Sequence, residues 1–323
     1  VCALSEAKGM TKTMKNTRTK TTRNSLILLL TAAIWGMAFV SQSKGMDYMH
    51  PFTFNGVRSL IGAASILVYI LISRKIAGDK AAPLDWKLNV KAGLLCGIFL
   101  TIASTLQQFG IKYTSVGKAG FITTLYIIFV PMFGIFLKKK VAPVVWAAAV
   151  MAAVGMYLLC MTESLRLGAG DIMVFLCAIA FAIQIMTVDH YAARIDGAVV
   201  SCIQFTVCGV VCCIGALIWG QPTFGQLQEG LGALLYAGVL SCGVGYTLQI
   251  VGQKGLNPTV AALIMSLESV IATISGWIAY KIGFLTTDQT LTARQIAGCV
   301  IVFAAVILVQ LPPEWFRFGK KNA

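Results

Sequence analysis

The sequence predicts an all-α integral membrane protein, with ten transmembrane helices arranged as two inverted five-helix repeats. Three observations carry that prediction. Of 323 residues, 58% are apolar and only 12% charged, with a mean hydropathy of +0.81, too apolar for a soluble chain to cover its surface with polar groups. Apolar stretches of bilayer-crossing length, roughly 17–25 residues, recur ten times. The segment 106–134 also resembles 248–276 at an offset of 142. Disorder, collagen-like repeats and a soluble enzyme are excluded.

The spans are expected at 25–43, 51–73, 89–111, 115–137, 143–161, 170–190, 197–219, 230–252, 258–280 and 293–311. Span 1 follows a Thr-rich basic tail, 1–24, which lacks the apolar stretch of a cleavable signal; Met10 and Met14 are candidate start sites. Pro51, Pro143 and Pro258 open spans 2, 5 and 9, where a missing N–H costs nothing. Gly78-Asp79, Gly168-Ala169-Gly170 and Asn257-Pro258 supply turns. The expected organisation is a cytoplasmic tail 1–24, a first repeat 25–161, an external connecting loop 162–169, a second repeat 170–311 and a cytoplasmic tail 312–323.

The basic residues set the expected orientation. One side collects Lys8, Lys12, Lys15, Arg18, Lys20 and Arg23, then Arg74, Lys75, Lys80, Lys87 and Lys91. It also holds Lys138–Lys140, Arg194, Lys254, Arg317, Lys320 and Lys321, giving 19. The opposite side has six: Lys44, Lys112, Lys118, Arg166, Lys281 and Arg294. The positive-inside rule then places both termini in the cytoplasm, in a multi-pass cell (inner or plasma) membrane protein. A net charge of +14 distributed in this way fits anionic headgroups rather than nucleic acid. Nine of the ten cysteines, all but Cys2, lie in apolar runs without a C-x-x-C pair. Buried thiols used as small apolar fillers are expected, Cys208, Cys212 and Cys213 included.

The repeat rests on eight identities over 29 positions, among them Gln107/Gln249, Gly110/Gly252, Lys112/Lys254 and Leu125/Leu267. A duplicated set of five spans must enter the membrane in opposite senses. Inverted repeats with a site between them near the midplane are the architecture of alternating-access carriers.

Two ionisable residues sit where charge is costly, ~2.5–3.5 kcal/mol at a helix centre on insertion scales. Glu268 lies about 15 Å into span 9, and Arg58 about 10 Å into span 2, at 1.5 Å per residue. Arg58 could anchor a substrate carboxylate or act as a counter-ion; Glu268 could bind a substrate amine or carry a proton. The structural alternative is that they pair with each other or with backbone groups, and Arg58 could also snorkel. At the same offset Glu268 corresponds to Tyr126. Trp35, Asn55, Gln107, Gln108, Gln184, Gln204, Tyr246 and Gln249 complete the candidate cavity lining, although such residues singly are more often interhelical links. Ala148/Ala152, Gly93/Gly97 and Gly238, Gly243 and Gly245 read as close-packing positions, with loosening of the helix for gating at Gly243-Val244-Gly245 as the alternative.

Enzyme signatures fail, and no enzyme, cofactor or metal is expected. Gly168-Ala169-Gly170-Asp171 matches the G-x-G-D of intramembrane aspartyl proteases, but Asp189 lies about 27 Å along the helix, too far to share a proton. Asp171 reads instead as a first-turn acid. There is no Walker loop, H-E-x-x-H or G-x-S-x-G, and His50 and His190 lie on opposite sides of the membrane.

Ile34-Trp35-Gly36, Pro51 with Arg58, Gly170-Asp171, Leu267-Glu268-Ser269-Val270 and the run Leu291–Gly298 together resemble the drug/metabolite transporter superfamily, EamA type, over roughly 25–311. The resemblance implies a secondary carrier of small solutes, often an exporter of amino acids or related metabolites. It also implies a central cavity between spans 1–4 and 6–9, peripheral spans 5 and 10, and Trp35, Arg58 and Glu268 as motif residues. Two departures stand out. Leu137-Lys138-Lys139-Lys140 and Ile282-Gly283-Phe284 replace the Gly-Glu that often ends spans 4 and 9, and Glu268-Ser269 replaces a Glu-Pro, so no proline kink is expected there.

The expected function is therefore secondary active export of an amino acid or related metabolite or drug by alternating access. An uptake carrier for a sugar- or nucleotide-linked metabolite, a lipid-facing flippase, a channel and an intramembrane enzyme are the alternatives. Expected partners are a small-molecule solute and the lipid bilayer, with a homodimer admitted.

Overall fold

The computed structural model describes residues 2–78, 83–114, 116–137, 141–160, 168–285 and 290–310, with the side chains of 2–20, 118, 156, 159–160 and 309–310 outside that description. Lys80, Lys138–Lys140, Arg166 and the 312–323 tail therefore lie outside the described residues, as does most of the 162–169 loop. Among the described residues there is no strand. Eight helices are long and apolar enough to cross a membrane: Thr21–Gly45, Pro51–Ala77, Trp86–Tyr113, Ala119–Phe136, Ala169–Tyr191, Gly197–Gly220, Leu231–Gln253 and Pro258–Lys281. Two shorter apolar stretches, Pro143–Gly155 and Ala293–Leu308, supply spans 5 and 10. The first span continues a helix that begins at Cys2.

Local chemistry accounts for the helix ends. His50, Asp85, Asp196 and Asn257 each accept a backbone N–H at the start of spans 2, 3, 7 and 9, satisfying donors that the first helical turn leaves unpaired. Asp171 caps span 6: its Oδ2 accepts from Gly168 N at 2.9 Å and its Oδ1 from the Thr114 hydroxyl at 2.8 Å. This is the first-turn role expected of it, and it also ties the end of span 3 to the start of span 6.

Four spans depart from regular α-helix. Span 7 ends in a π-wound turn, Ala216–Gly220, and span 8 is π-wound over Tyr236–Gly245. Span 4 is interrupted at Leu125 and span 9 at Ser266. The absence of Glu-Pro leaves no proline to kink span 9, yet the helix is interrupted there. Thr124 Oγ1 bonds back to Gly120 O and Phe121 O, and Ser266 Oγ to Leu263 O. Back-bonding hydroxyls of this kind compete with the helical ladder and sit at both interruptions, although Thr101 and Thr187 bond back in the same way within continuous helices. Thr124 and Ser266 are themselves 142 apart.

The packing has the symmetry of the repeat. Span 1 packs on spans 8 and 9 as span 6 packs on 3 and 4, while 2 packs on 7, 4 on 9 and 5 on 10; exchanging the halves leaves this pattern unchanged. Glycines permit the closest approaches. A Cβ on Gly110 would collide with Val174 and lie 2.9 Å from Gly170 O, and one on Gly155 would lie 2.9 Å from Gly298 O. Gly93 and Gly97 face Ile203 and Val207, and Gly238 faces Ile61, so these small residues are packing positions. Gly245 lies against the Trp35 indole.

Candidate functional site

The two interrupted helices bring the repeat-related pair together. Tyr126 opens the second piece of span 4, Tyr126–Phe136, and Glu268 lies in the first turn of the second piece of span 9, Leu267–Lys281. The Tyr126 hydroxyl donates to Glu268 Oε1 at 3.0 Å, with both side chains buried. A carboxylate in the first turn of a helix is favoured by the helix dipole, and broken helices directing their ends at a midplane site are a transporter device.

Arg58 reaches the same cavity from span 2. It is 5% exposed and Glu268 4%; both line one central cavity, yet they form no ion pair with each other. Arg58 Nε has no hydrogen-bond partner, and the guanidinium lies 5.4 Å over the Phe54 ring, a cation–π contact that offsets part of its desolvation. The two charges are thus held separately, one from each half.

Around them the wall is aromatic and amidic. The Trp35 indole donates to Ser241 O in the π-wound segment at 3.4 Å. Its ring centroid lies 4.5 Å from that of Tyr246, which meets Phe205 edge-on at 4.9 Å. Three buried amides from spans 8, 6 and 7 form a chain: Gln249 donates to Gln184 at 3.2 Å and Gln184 to Gln204 at 3.5 Å. Gln249 Oε1 and Gln42 Oε1, both on cavity-lining residues, are buried without partners.

Of the expected lining residues, Trp35, Arg58, Gln107, Tyr126, Gln184, Tyr246, Gln249 and Glu268 line this cavity. Asn55, Gln108 and Gln204 do not; they lie behind the wall. Asn55 donates to Ser104 O at 2.8 Å and Gln108 to Gln42 O at 3.2 Å, while Gln204 receives the amide chain. Gln42, Phe39, Phe181, Ser104 and Cys242 line the cavity and were missed. Extending the repeat from the expected residues finds two of them, Gln42 through Gln184 and Ser104 through Tyr246. Phe39/Phe181, Gln42/Gln184, Leu100/Cys242, Ser104/Tyr246, Gln107/Gln249 and Tyr126/Glu268 are all 142 apart and all line the cavity, which therefore sits where the halves meet. Arg58 and Trp35 break the symmetry, with Val200 and Cys177 at their equivalent positions.

Free space in the cavity is about 40 Å³, room for a few waters at ≳10–15 Å³ each and well short of the ≈300 Å³ where ligand pockets begin. Cys208 is more than an apolar filler: its sulfur lies 3.4 Å from the hydroxyls of both Ser59 and Ser104. Among the described residues no cluster could hold a metal ion.

The sequence profile of the EamA-like transporter family matches residues 23–161 and again 168–311. The chain belongs to the EamA-like transporter family. It is 27% identical over 290 residues to an uncharacterized transporter of Archaeoglobus fulgidus, covering 88% of this chain and 84% of that protein. It is 24% identical over 294 residues to the uncharacterized transporter YwfM of Bacillus subtilis, covering 90% and 94%. A solved crystal structure superimposes with a TM-score of 0.71 over 92% of this chain and 99% of that one, at 16% identity, and so shares the fold. This EamA-family chain is accordingly an integral membrane protein of the drug/metabolite transporter superfamily, and its relatives are transporters.

Proposed function

We propose that this chain is a secondary active exporter of a small amphipathic solute, an amino acid or a related metabolite or drug, working by alternating access. The observation that supports this most is the unpaired placement of Arg58 and Glu268 across one closed cavity. A buried charge is tolerated when a partner compensates it. Here each charge lacks an opposite charge of its own, so a solute carrying both a carboxylate and an amine would compensate both at once. Gln42 and Gln249 add buried acceptors for N–H groups, and the Trp35–Tyr246–Phe205 surface accommodates an apolar side chain.

Glu268 is the coupling residue in this reading. Between turnovers a proton would neutralise it, and an arriving cationic group would displace that proton. The hydrogen bond to Tyr126 joins the broken helices of opposite halves, so exchanging proton for substrate acts on the joint about which they rock. The 19-to-6 bias of basic residues supports an orientation with both termini cytoplasmic in the cell membrane.

Counterflow in proteoliposomes tests the reading. With a panel of radiolabelled amino acids, wild type is expected to exchange at least one and to concentrate it against an imposed pH gradient. Glu268→Gln, which removes the group proposed to hold the substrate amine, should lose both exchange and the gradient-driven step. Gradient-driven accumulation that survives in both Glu268→Gln and Arg58→Ala would refute it.

A further inference from the structure

We infer that the Lys254 side of the protein carries a seat for one anionic phospholipid, with its headgroup among basic loops and one acyl chain between spans 2 and 8. Two adjoining cavities make the seat. The first, about 520 Å³, lies between the loop ahead of span 3, the loop joining spans 6 and 7, and the ends of spans 2 and 8. Its rim carries Arg74, Arg194 and Lys254, three of the basic residues on the heavily charged side. Two carboxylates, Asp85 and Asp196, also line it and cap helix starts. Asp85 accepts from Leu88 N, and Asp196 from Ala198 N and Val199 N, so the helix starts they cap offset their charge.

The second cavity, about 400 Å³, is an apolar groove walled by Ile66, Val239, Val244 and Leu248. It shares Tyr69, Thr247 and Val251 with the first, so the two are continuous. Tyr69 is 60% exposed, Val239 37% and Val244 40%, and in a bilayer that exposure faces lipid. A cationic pocket opening into an apolar lateral groove is complementary to a phosphate headgroup carrying an acyl chain, and basic pockets between helices on the cytoplasmic side are recurrent sites for anionic lipid.

None of the groove residues lines the central cavity, so the lipid is resident and not cargo. Spans 2 and 8 come from opposite halves, and a lipid seated across both braces the joint between them. The inference is independent of the substrate assignment.

Native mass spectrometry of the full chain in mixed micelles tests it, with phosphatidylglycerol and phosphatidylcholine of identical chains as probes. Wild type should retain one phosphatidylglycerol with about tenfold preference over phosphatidylcholine, and the double variant Arg74→Gln/Arg194→Gln should lose that preference while retaining phosphatidylcholine as wild type does. Equal retention of the two lipids by wild type, or an undiminished preference in the double variant, overturns the inference. Glycerol phosphate, which has the headgroup without chains, should not be retained; its retention would assign the pocket to free phosphates and overturn the lipid. Should the double variant not fold, Thr247→Trp, which fills the groove, decides: loss of phosphatidylglycerol supports the seat and unchanged retention overturns it.

Discussion

Tyr126 and Glu268 hold equivalent positions in the two halves, 142 residues apart, and meet in a 3.0 Å hydrogen bond at the centre of the protein. A bond between repeat partners lies where the halves are related to each other, which makes it a joint. Removing the hydroxyl in Tyr126→Phe leaves a buried carboxyl short of a donor, costing about 1–3 kcal/mol. Thermal unfolding should show a lower Tm with the fold retained, and the deficit should vanish in the double variant Tyr126→Phe/Glu268→Leu.

Glu268→Gln is expected to separate stability from function. The amide still accepts from Tyr126 and matches the size of a protonated carboxyl, so detergent stability should match wild type while transport is lost. A variant that unfolds would instead make Glu268 a structural partner.

Spans 3 and 6 cross backbone to backbone at Gly110 and Gly170. A Cβ on Gly110 would collide with Val174 Cγ2 and lie 2.9 Å from Gly170 O, and backbone cannot step aside. At the repeat-related crossing, a Cβ on Gly252 would lie 2.7 Å from Leu28 Cδ2, the movable end of a side chain. Gly110→Ala should therefore destabilise by about 1–3 kcal/mol, and Gly252→Ala measurably less. Paired melting curves check the order.

His50 caps span 2, its Nδ1 accepting from Phe52 N at 3.3 Å, and lies outside the membrane-spanning segments. Burial, and secondarily the nearby Lys112 charge, lower its pKa below the ordinary 6.5. The folded state therefore binds fewer protons than the unfolded chain. The stability it contributes is present above about pH 6.5 and is lost as pH falls through the lower folded value. His50→Asn keeps a cap-forming side chain and should flatten the Tm-against-pH curve below pH 6.5.

Asn55→Ala removes a bond to Ser104 O that joins spans 2 and 3 behind the cavity wall. It should lower Tm without altering which solutes bind, whereas Gln249→Ala should alter binding.

The ten spans and the pairing of halves were legible because hydropathy and repeat offset are properties of the chain. Which way a side chain faces is not. Asn55, Gln108 and Gln204 are as polar and as deep as Gln107 and Gln249, yet they sit behind the wall, since helix rotation is set by packing that no single segment encodes. Gln42 and Ser104 are legible through their expected repeat partners Gln184 and Tyr246, whereas Phe39 and Phe181 are partners of each other and neither carries a polar signal. The interruptions at Leu125 and Ser266 are not legible, because no proline marks them and the back-bonding hydroxyls at Thr124 and Ser266 recur at Thr101 and Thr187 in continuous helices.

The central claim, that Arg58 and Glu268 hold opposite ends of one small solute, is tested most directly by thermal shift of the purified protein against amino acids, sugars, nucleosides and cationic drugs. Ligand far above its Kd raises Tm by linkage, about 2.7 kcal/mol of stabilisation at a hundredfold excess. The account predicts stabilisation by an amino acid that is lost in both Arg58→Ala and Glu268→Gln. Stabilisation only by long-chain amphiphiles, or by a solute that both variants still bind, would contradict it.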